Sequence, residues 1–209
     1  MHKKDYFSNF EAIIFDLGGV ILNIDYSKTV KAFQDLGLEN FESIYSQANQ
    51  SGLFDKFEIG AISPQSFVNE LLPYLPKGTS ANQVVSAWNE IILDFPIENL
   101  ELLKRLKNEK PTFLLSNTNE IHIQCFNRKL KEVSTENSLH NFFHQTYFSN
   151  EIALRKPNKE VFEFVCRENN LIPEKTLFID DSIQHIEGAK AFGLNVYHLQ
   201  KGEKITDLF

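Results

Sequence analysis

One stretch constrains the fold more than any other. Ala12-Ile13-Ile14-Phe15 is an unbroken apolar run, Asp16 follows it directly, and Gly18-Gly19 come next. Four apolar residues in a row between polar ones suit a strand buried on both faces of a sheet. The glycines let the chain turn sharply and bring bare backbone close to a ligand. An acid at the carboxyl end of a central parallel strand stands where open α/β sheets bind their ligands. The competing reading is a strand-ending Asp that caps a turn, and the run alone does not separate the two.

Further runs repeat the pattern. Thr112-Phe113-Leu114-Leu115 is closed by Ser116-Asn117-Thr118-Asn119, and Thr176-Leu177-Phe178-Ile179 by Asp180-Asp181-Ser182. Phe142 to Tyr147 leads into Phe148 as a short strand, and Asn195-Val196-Tyr197-His198 is the last. Helical text fills the intervals. Pro96 opens a helix with Leu100, Leu103 and Leu106 on one face, stopped by Lys110-Pro111. Another follows Asn119 to about Leu130, after which Lys131 to Ser138 reads as loop. Helices over Lys159 to Asn169 and Gln184 to Phe192 complete the set, the latter ended by Gly193. Buried strands alternating with helices imply α/β architecture, a Rossmann-like parallel sheet covered on both faces.

The interval after the first strand is too long for one crossover. Ser27 reads as the N-cap of a helix to Leu36, ended by Gly37. Asn40 to Gln50 reads as helix, Ser51-Gly52 breaks it, and Leu53 to Ile59 is a short helical turn. Ser63 caps a helix begun by Pro64 and stopped at Pro73, and Thr79 or Ser80 opens another through Trp88 to Leu93. About 70 helical residues exceed what a crossover needs. Residues 25–95 therefore read as an inserted all-helical cap domain, with 1–24 and 96–209 as the core domain.

A net charge of -7 argues against a nucleic-acid partner, which calls for a basic face, but leaves room for a small anionic substrate. Cys125 and Cys166 have no metal-type spacing and read as reduced packing residues of a cytoplasmic protein. The apolar run after the basic start is too short for a signal peptide, and no stretch reaches the length of a membrane span.

Asp16, Ser116 and Asp180-Asp181 each follow an apolar strand, so parallel strands deliver them to one edge of the sheet. Clustered carboxylates repel one another unless a cation is present, and a hard, oxygen-liking ion such as Mg²⁺ answers that. Lys156, before Pro157, adds a positive charge. Carboxylates, a metal, a lysine and a hydroxyl together suit a phosphoryl group. Each residue has a rival reading: Ser116 or Asp180 as a helix cap, Lys156 as a solvated surface residue.

Asp16-Leu17-Gly18-Gly19-Val20, Ser116-Asn117, Lys156-Pro157 and Asp180-Asp181 resemble the four ordered motifs of the haloacid dehalogenase-like hydrolases, with the cap placed as in the helical-cap subfamily. The resemblance implies that Asp16 is a nucleophile forming an aspartyl-phosphate. It implies Mg²⁺ held by Asp16, the Gly18 carbonyl and Asp181, with Asp180 helping to hold the metal or its waters. Leu17, Gly18, Ser116 and the Asn117 N–H would surround the phosphate, and Lys156 would neutralise it. A small phosphorylated metabolite is the implied partner. His122, His185 and His198 lack ligand spacing and read as structural, and Trp88 and the many Phe residues as packing.

One position departs from the family pattern. Family phosphatases usually carry an acid–base Asp two residues after the nucleophile, where this chain has Gly18. Such help is typically worth about 10²–10⁴-fold in rate. Either the leaving group is good, as in a sugar 1-phosphate, or another residue such as Asp25 or one from the cap supplies the proton. Otherwise the reaction differs, as carbon–halide or phosphonate cleavage, or the module binds phosphate without turnover. The phosphonate reaction needs a cap lysine; Lys28, Lys31, Lys56 and Lys77 are available, without a matching motif.

Overall fold

The structure, a computed structural model, describes residues 7, 9–38 and 52–209. Its sheet has five parallel strands in the order β3-β2-β1-β4-β5: β1 Ala12–Phe15, β2 Thr112–Ser116, β3 Gln145–Phe148, β4 Thr176–Asp180 and β5 Asn195–His198. The most uniformly apolar run takes the centre. All four residues of β1 are buried, because both sheet faces are covered.

The pleat sorts the strand residues into two cores. Ile13, Phe15, Leu114, Leu177 and Ile179 face one side, where they meet Leu103 and Leu106 of α5 (Ile97–Glu109) and Phe126 and Leu130 of α6 (Glu120–Val133). Ala12, Ile14, Phe113, Leu115 and Phe178 face the other. There they meet Val161, Phe162 and Val165 of α8 (Lys159–Glu168) and Ile186 and Ala189 of α9 (Ile183–Phe192). The short α7, Ser149–Ile152, follows β3.

Among the described residues, four α-helices lie between β1 and α5: α1 (Tyr26–Asp35), α2 (Leu53–Glu58), α3 (Pro64–Leu71) and α4 (Ala81–Asn89). They have their own core, in which Phe57 stacks on Phe67 at 4.2 Å and Phe67 meets Trp88 at 5.0 Å. Ile121 of α6 joins that cluster from the sheet side. The helix expected over Asn40 to Gln50 lies outside the described residues.

Three local expectations are corrected. The N-cap of α1 is Asp25, not Ser27: its carboxylate accepts the Ser27 N–H at 2.9 Å and the Ser27 hydroxyl at 2.6 Å. A carboxylate satisfies an orphan amide with its full charge at the positive helix end. α4 stops at Asn89 rather than Leu93, because tertiary pairing claims the following residues. The Asp25 N–H donates to Ile91 O at 2.9 Å and the Leu93 N–H to Asn23 O at 2.9 Å, placing Ile24 against Ile92. α6 runs on to Val133, into the stretch read as loop, since Leu130 is still fully buried. Ser63 and Ser80 cap α3 and α4 as expected.

Candidate active site

The carboxyl edge of the sheet gathers the chemistry. Asp16 continues the β1 ladder, its N–H donating to Ile179 O at 2.9 Å. The chain then coils on itself, with the N–H groups of Ile21 and Leu22 both donating to Leu17 O at 2.9 Å. Gly19 has φ +74°, and a Cβ there would fall 2.1 Å from Asp181 Oδ2. Only glycine permits that approach. Gly18 is different: its φ is ordinary, and a Cβ would meet Ile24 Cδ1 at 3.1 Å. The tip of Ile24, from the linker to α1, borders the space where an acid–base side chain would start.

Lys156 is fully buried between two acids. Its Nζ lies 2.5 Å from Asp16 Oδ1 and 2.7 Å from Asp180 Oδ2. The surface-lysine reading is therefore wrong, since a buried ammonium persists only when paired. Its backbone is clamped as well. The Asn117 side chain donates to Lys156 O and accepts from Lys156 N–H, both at 2.9 Å.

Ser116 ends β2 and is 3% exposed. It does not cap α6; Asn119 does, accepting the His122 N–H at 3.0 Å. Asp180 has a local duty, accepting the Ser182 N–H at 2.8 Å. It also receives Lys156, and His185 Nδ1 lies 3.0 Å from its Oδ2. Thus both Asp180 oxygens are engaged, and the structure brings His185 to the site although its spacing read as structural. Asp181 is exposed and opens the cluster to solvent.

Asp16, Asp180 and Asp181 each offer an oxygen within 4.8 Å of the others. Burial, with Asp180 and Asp181 adding repulsion, pushes the Asp16 carboxyl up to about 7 against the pull of Lys156. Asp180 resists its own burial because Lys156, then His185, hold its carboxyl low. Burial opposes the Lys156 charge, but Asp16 and Asp180 outweigh it and raise its pKa. Burial and Asp180 raise Asp181. Three carboxylates cluster around a single ammonium that pairs with two of them, so the donor set fits a hard divalent cation: all-oxygen, partly open, and with excess negative charge.

The other expected residues lie elsewhere. Asp25 is committed to Ser27, which lowers its carboxyl and counts against proton donation. His122 stacks on Trp88 at 5.2 Å and contacts Asn89 Oδ1 at 3.1 Å, and burial depresses it to about 3. His198 Nε2 contacts Asp181 O at 3.0 Å. Both cysteines are buried and free, and burial pushes the Cys166 thiol up to about 11. The Asn117 clamp had no legible signal, because its partner is 39 residues away. His185, in the first turn after Asp180-Asp181, had one.

Known proteins share this arrangement of elements. A family model described as "haloacid dehalogenase-like hydrolase" matches residues 10–193. A D-ribitol-5-phosphate phosphatase of Bacteroides thetaiotaomicron is 30% identical over 193 residues, covering 91% of this chain and 92% of the relative. A sesquiterpene phosphatase of Aspergillus oryzae is 25% identical over 197 residues, covering 92% of this chain and 91% of that one. Among solved structures, a HAD family enzyme of Bacteroides thetaiotaomicron overlays with a TM-score of 0.89 at 31% identity, over 96% of this chain and 98% of that one. Its complex with magnesium and inorganic phosphate gives 0.85 at 31% identity, over 96% and 99%. No helix among the described residues is long and apolar enough to cross a membrane.

Proposed function

Because this chain belongs to the haloacid dehalogenase-like hydrolases, we propose that it is a Mg²⁺-dependent phosphatase of small phosphomonoesters, acting through an aspartyl-phosphate on Asp16. The observation that carries this is the convergence of Asp16 and Asp180 on one buried lysine, with Asp181 offering an oxygen within 4.8 Å of theirs. A binding module has no need of a carboxylate held in that position.

Asp16 and Asp181, with the Gly18 carbonyl, would hold the magnesium. Asp180, whose oxygens already serve Lys156 and Ser182, would orient rather than ligate. When bound there, the ion would supply Lewis acidity and neutralise charge on the phosphoryl oxygens. Asp16 attacks phosphorus in line and the leaving oxygen departs; water then cleaves the acyl phosphate and regenerates the carboxylate. Lys156 stabilises the negative charge at Asp16 and on the transferring group. The Ser116 hydroxyl, Leu17, Gly18 and the Asn117 N–H would bind phosphate oxygens.

With no side chain at Gly18 to protonate the leaving oxygen, a substrate with a good leaving group is favoured. Sugar 1-phosphates, with a more acidic anomeric oxygen, fit that preference. A sugar-alcohol phosphate, such as the one named for the Bacteroides relative, is the other class to test. The cap domain proposed for residues 25–95 is supported, among the described residues, by a separate aromatic core and by the paired linkers at Asn23–Asp25 and Ile91–Asp94.

The test is turnover of a panel of sugar 1-phosphates, polyol and sugar 5- and 6-phosphates and p-nitrophenyl phosphate, with Mg²⁺ or EDTA. Hydrolysis is expected with Mg²⁺ alone. Asp16→Asn should lower kcat by at least about 10³-fold while folding normally. An active Asp16→Asn variant would refute the nucleophile, and silence across the panel would favour phosphate binding without turnover.

A further inference from the structure

Arg155 and Lys156 share a peptide bond but serve different parts of the molecule. Lys156 is fixed by Asn117 at its backbone and by Asp16 and Asp180 at its ammonium. Arg155 reaches into the cap. Its Nη1 pairs with Asp55 and its Nη2 lies 3.0 Å from Glu58 Oε2, two acids one turn apart on α2. The same turn is pinned a second time, where the Ser149 hydroxyl donates to Glu58 O at 2.6 Å. Just beyond, Gly60 passes so close to α7 that a Cβ would fall 2.2 Å from Asn150 O. The cap therefore seats on the segment 149–155, and that segment runs directly into the lysine.

We propose that Arg155 is a positioning residue for the reaction: by clasping Asp55 and Glu58 it couples the seating of the cap to the placement of the Lys156 ammonium. The inference rests on the phosphatase reading and deepens it. The clasp has the strength a reversible closure calls for. It has one wet arm and one dry arm: Asp55 is 58% exposed, whereas Glu58 Oε2 and Arg155 Nε are buried without a hydrogen-bond partner among the described residues and burial raises the Glu58 carboxyl, so lifting the cap returns these groups to water. Two fully buried pairs would hold the cap shut, and none would leave it unseated when substrate binds. The planar guanidinium spans both carboxylates, whereas a lysine ammonium would favour one of them.

The experiment measures kcat and KM of Arg155→Met and Arg155→Lys at low and high salt, with hydrogen exchange of residues 53–60. Arg105→Met, which breaks a surface pair on α5, is the control. Arg155→Met is expected to lower kcat/KM by at least about tenfold, to abolish the salt sensitivity of the parent, and to speed exchange in 53–60 while the strands stay protected. Arg155→Lys should recover part of the loss. If Arg155→Met does not fold, the Asp55→Asn, Glu58→Gln double variant, which leaves Arg155 intact, must reproduce the defect. Parent-like kinetics, or unchanged exchange in 53–60, would overturn the proposal. A parent protein that hydrolyses no phosphomonoester would instead sink the phosphatase reading, and the exchange data would still judge the clasp.

Discussion

The charges at the sheet edge and the charges at the cap boundary are built on opposite terms. Lys156 and Asp180 are wholly buried, their pairing is short, and each ion depends on the others for its charge. Arg155, Asp55 and Glu58 stand partly in water. A buried ion whose partner is removed has no solvent to turn to, so the first group is permanent geometry. The second group has water within reach on its Asp55 side and depends less on its partners. The apolar cores divide in the same way: the sheet has one on each face, and the cap has an aromatic cluster of its own. The buried carboxylate–lysine cluster thus sits at the sheet edge, and the helices between β1 and α5 meet the segment beside it through partly exposed ion pairs.

The comparison can be broken most directly at Lys156. Lys156→Met leaves two buried carboxylates facing each other and should cost about 3–5 kcal/mol, read by urea unfolding. Adding Asp180→Asn should recover part of that, and a loss below about 1 kcal/mol would mean the pair is far more hydrated than its burial implies. On the cap side, Phe67→Ala removes a fully buried ring and should cost about 3 kcal/mol. Trp88, the single tryptophan, lies against Phe67 in the cap. Its fluorescence in this variant should therefore change before the far-ultraviolet dichroism of the sheet domain. Coincident transitions would show that the halves unfold as one.

A smaller effect sits where the halves touch. Unfolded His122 takes up a proton near pH 6.5, which the folded chain refuses until about pH 3. The His122 contribution is therefore complete above 6.5 and falls as pH drops through that window, by at most about 1.4 kcal/mol per pH unit, while Asp16, raised to about 7 by burial, acts in the opposite sense over much of the same range. His122→Gln should flatten the slope, and an unchanged slope would assign it to the carboxylates. The smallest change is Gly18→Ala, expected within about 1 kcal/mol because the contact is the tip of Ile24. Gly19→Ala, pushed into Asp181, should weaken Mg²⁺ binding clearly; equal effects at the two glycines would contradict the geometry.

Much of the site was legible because its signals are local. Three of the apolar runs end in or directly before candidate site residues, and parallel pairing carries Asp16, Ser116 and Asp180 to one edge whatever separates them in the chain. Lys156 was legible through its place in the motif order, but its burial was not. The errors arose where distant backbone overrode local preference. Ile91 to Leu93 continue a helical pattern in sequence, yet they pair with Asn23 to Asp25. At the start of α1, Asp25 and Ser27 are both capping residues, and the carboxylate that accepts the Ser27 N–H and hydroxyl prevailed.

By itself the sequence determined the strands, their common direction and the residues at their ends, because alternation of apolar runs with helices leaves a parallel sheet few alternatives. Tertiary structure alone decided what those residues meet. It set Asn117 on the Lys156 backbone, His185 on Asp180, Ile24 beside Gly18 and Arg155 on the cap. The reason is physical: burial and backbone pattern follow from neighbours in the chain, whereas charge pairing and steric exclusion depend on atoms that only folding brings within a few ångströms.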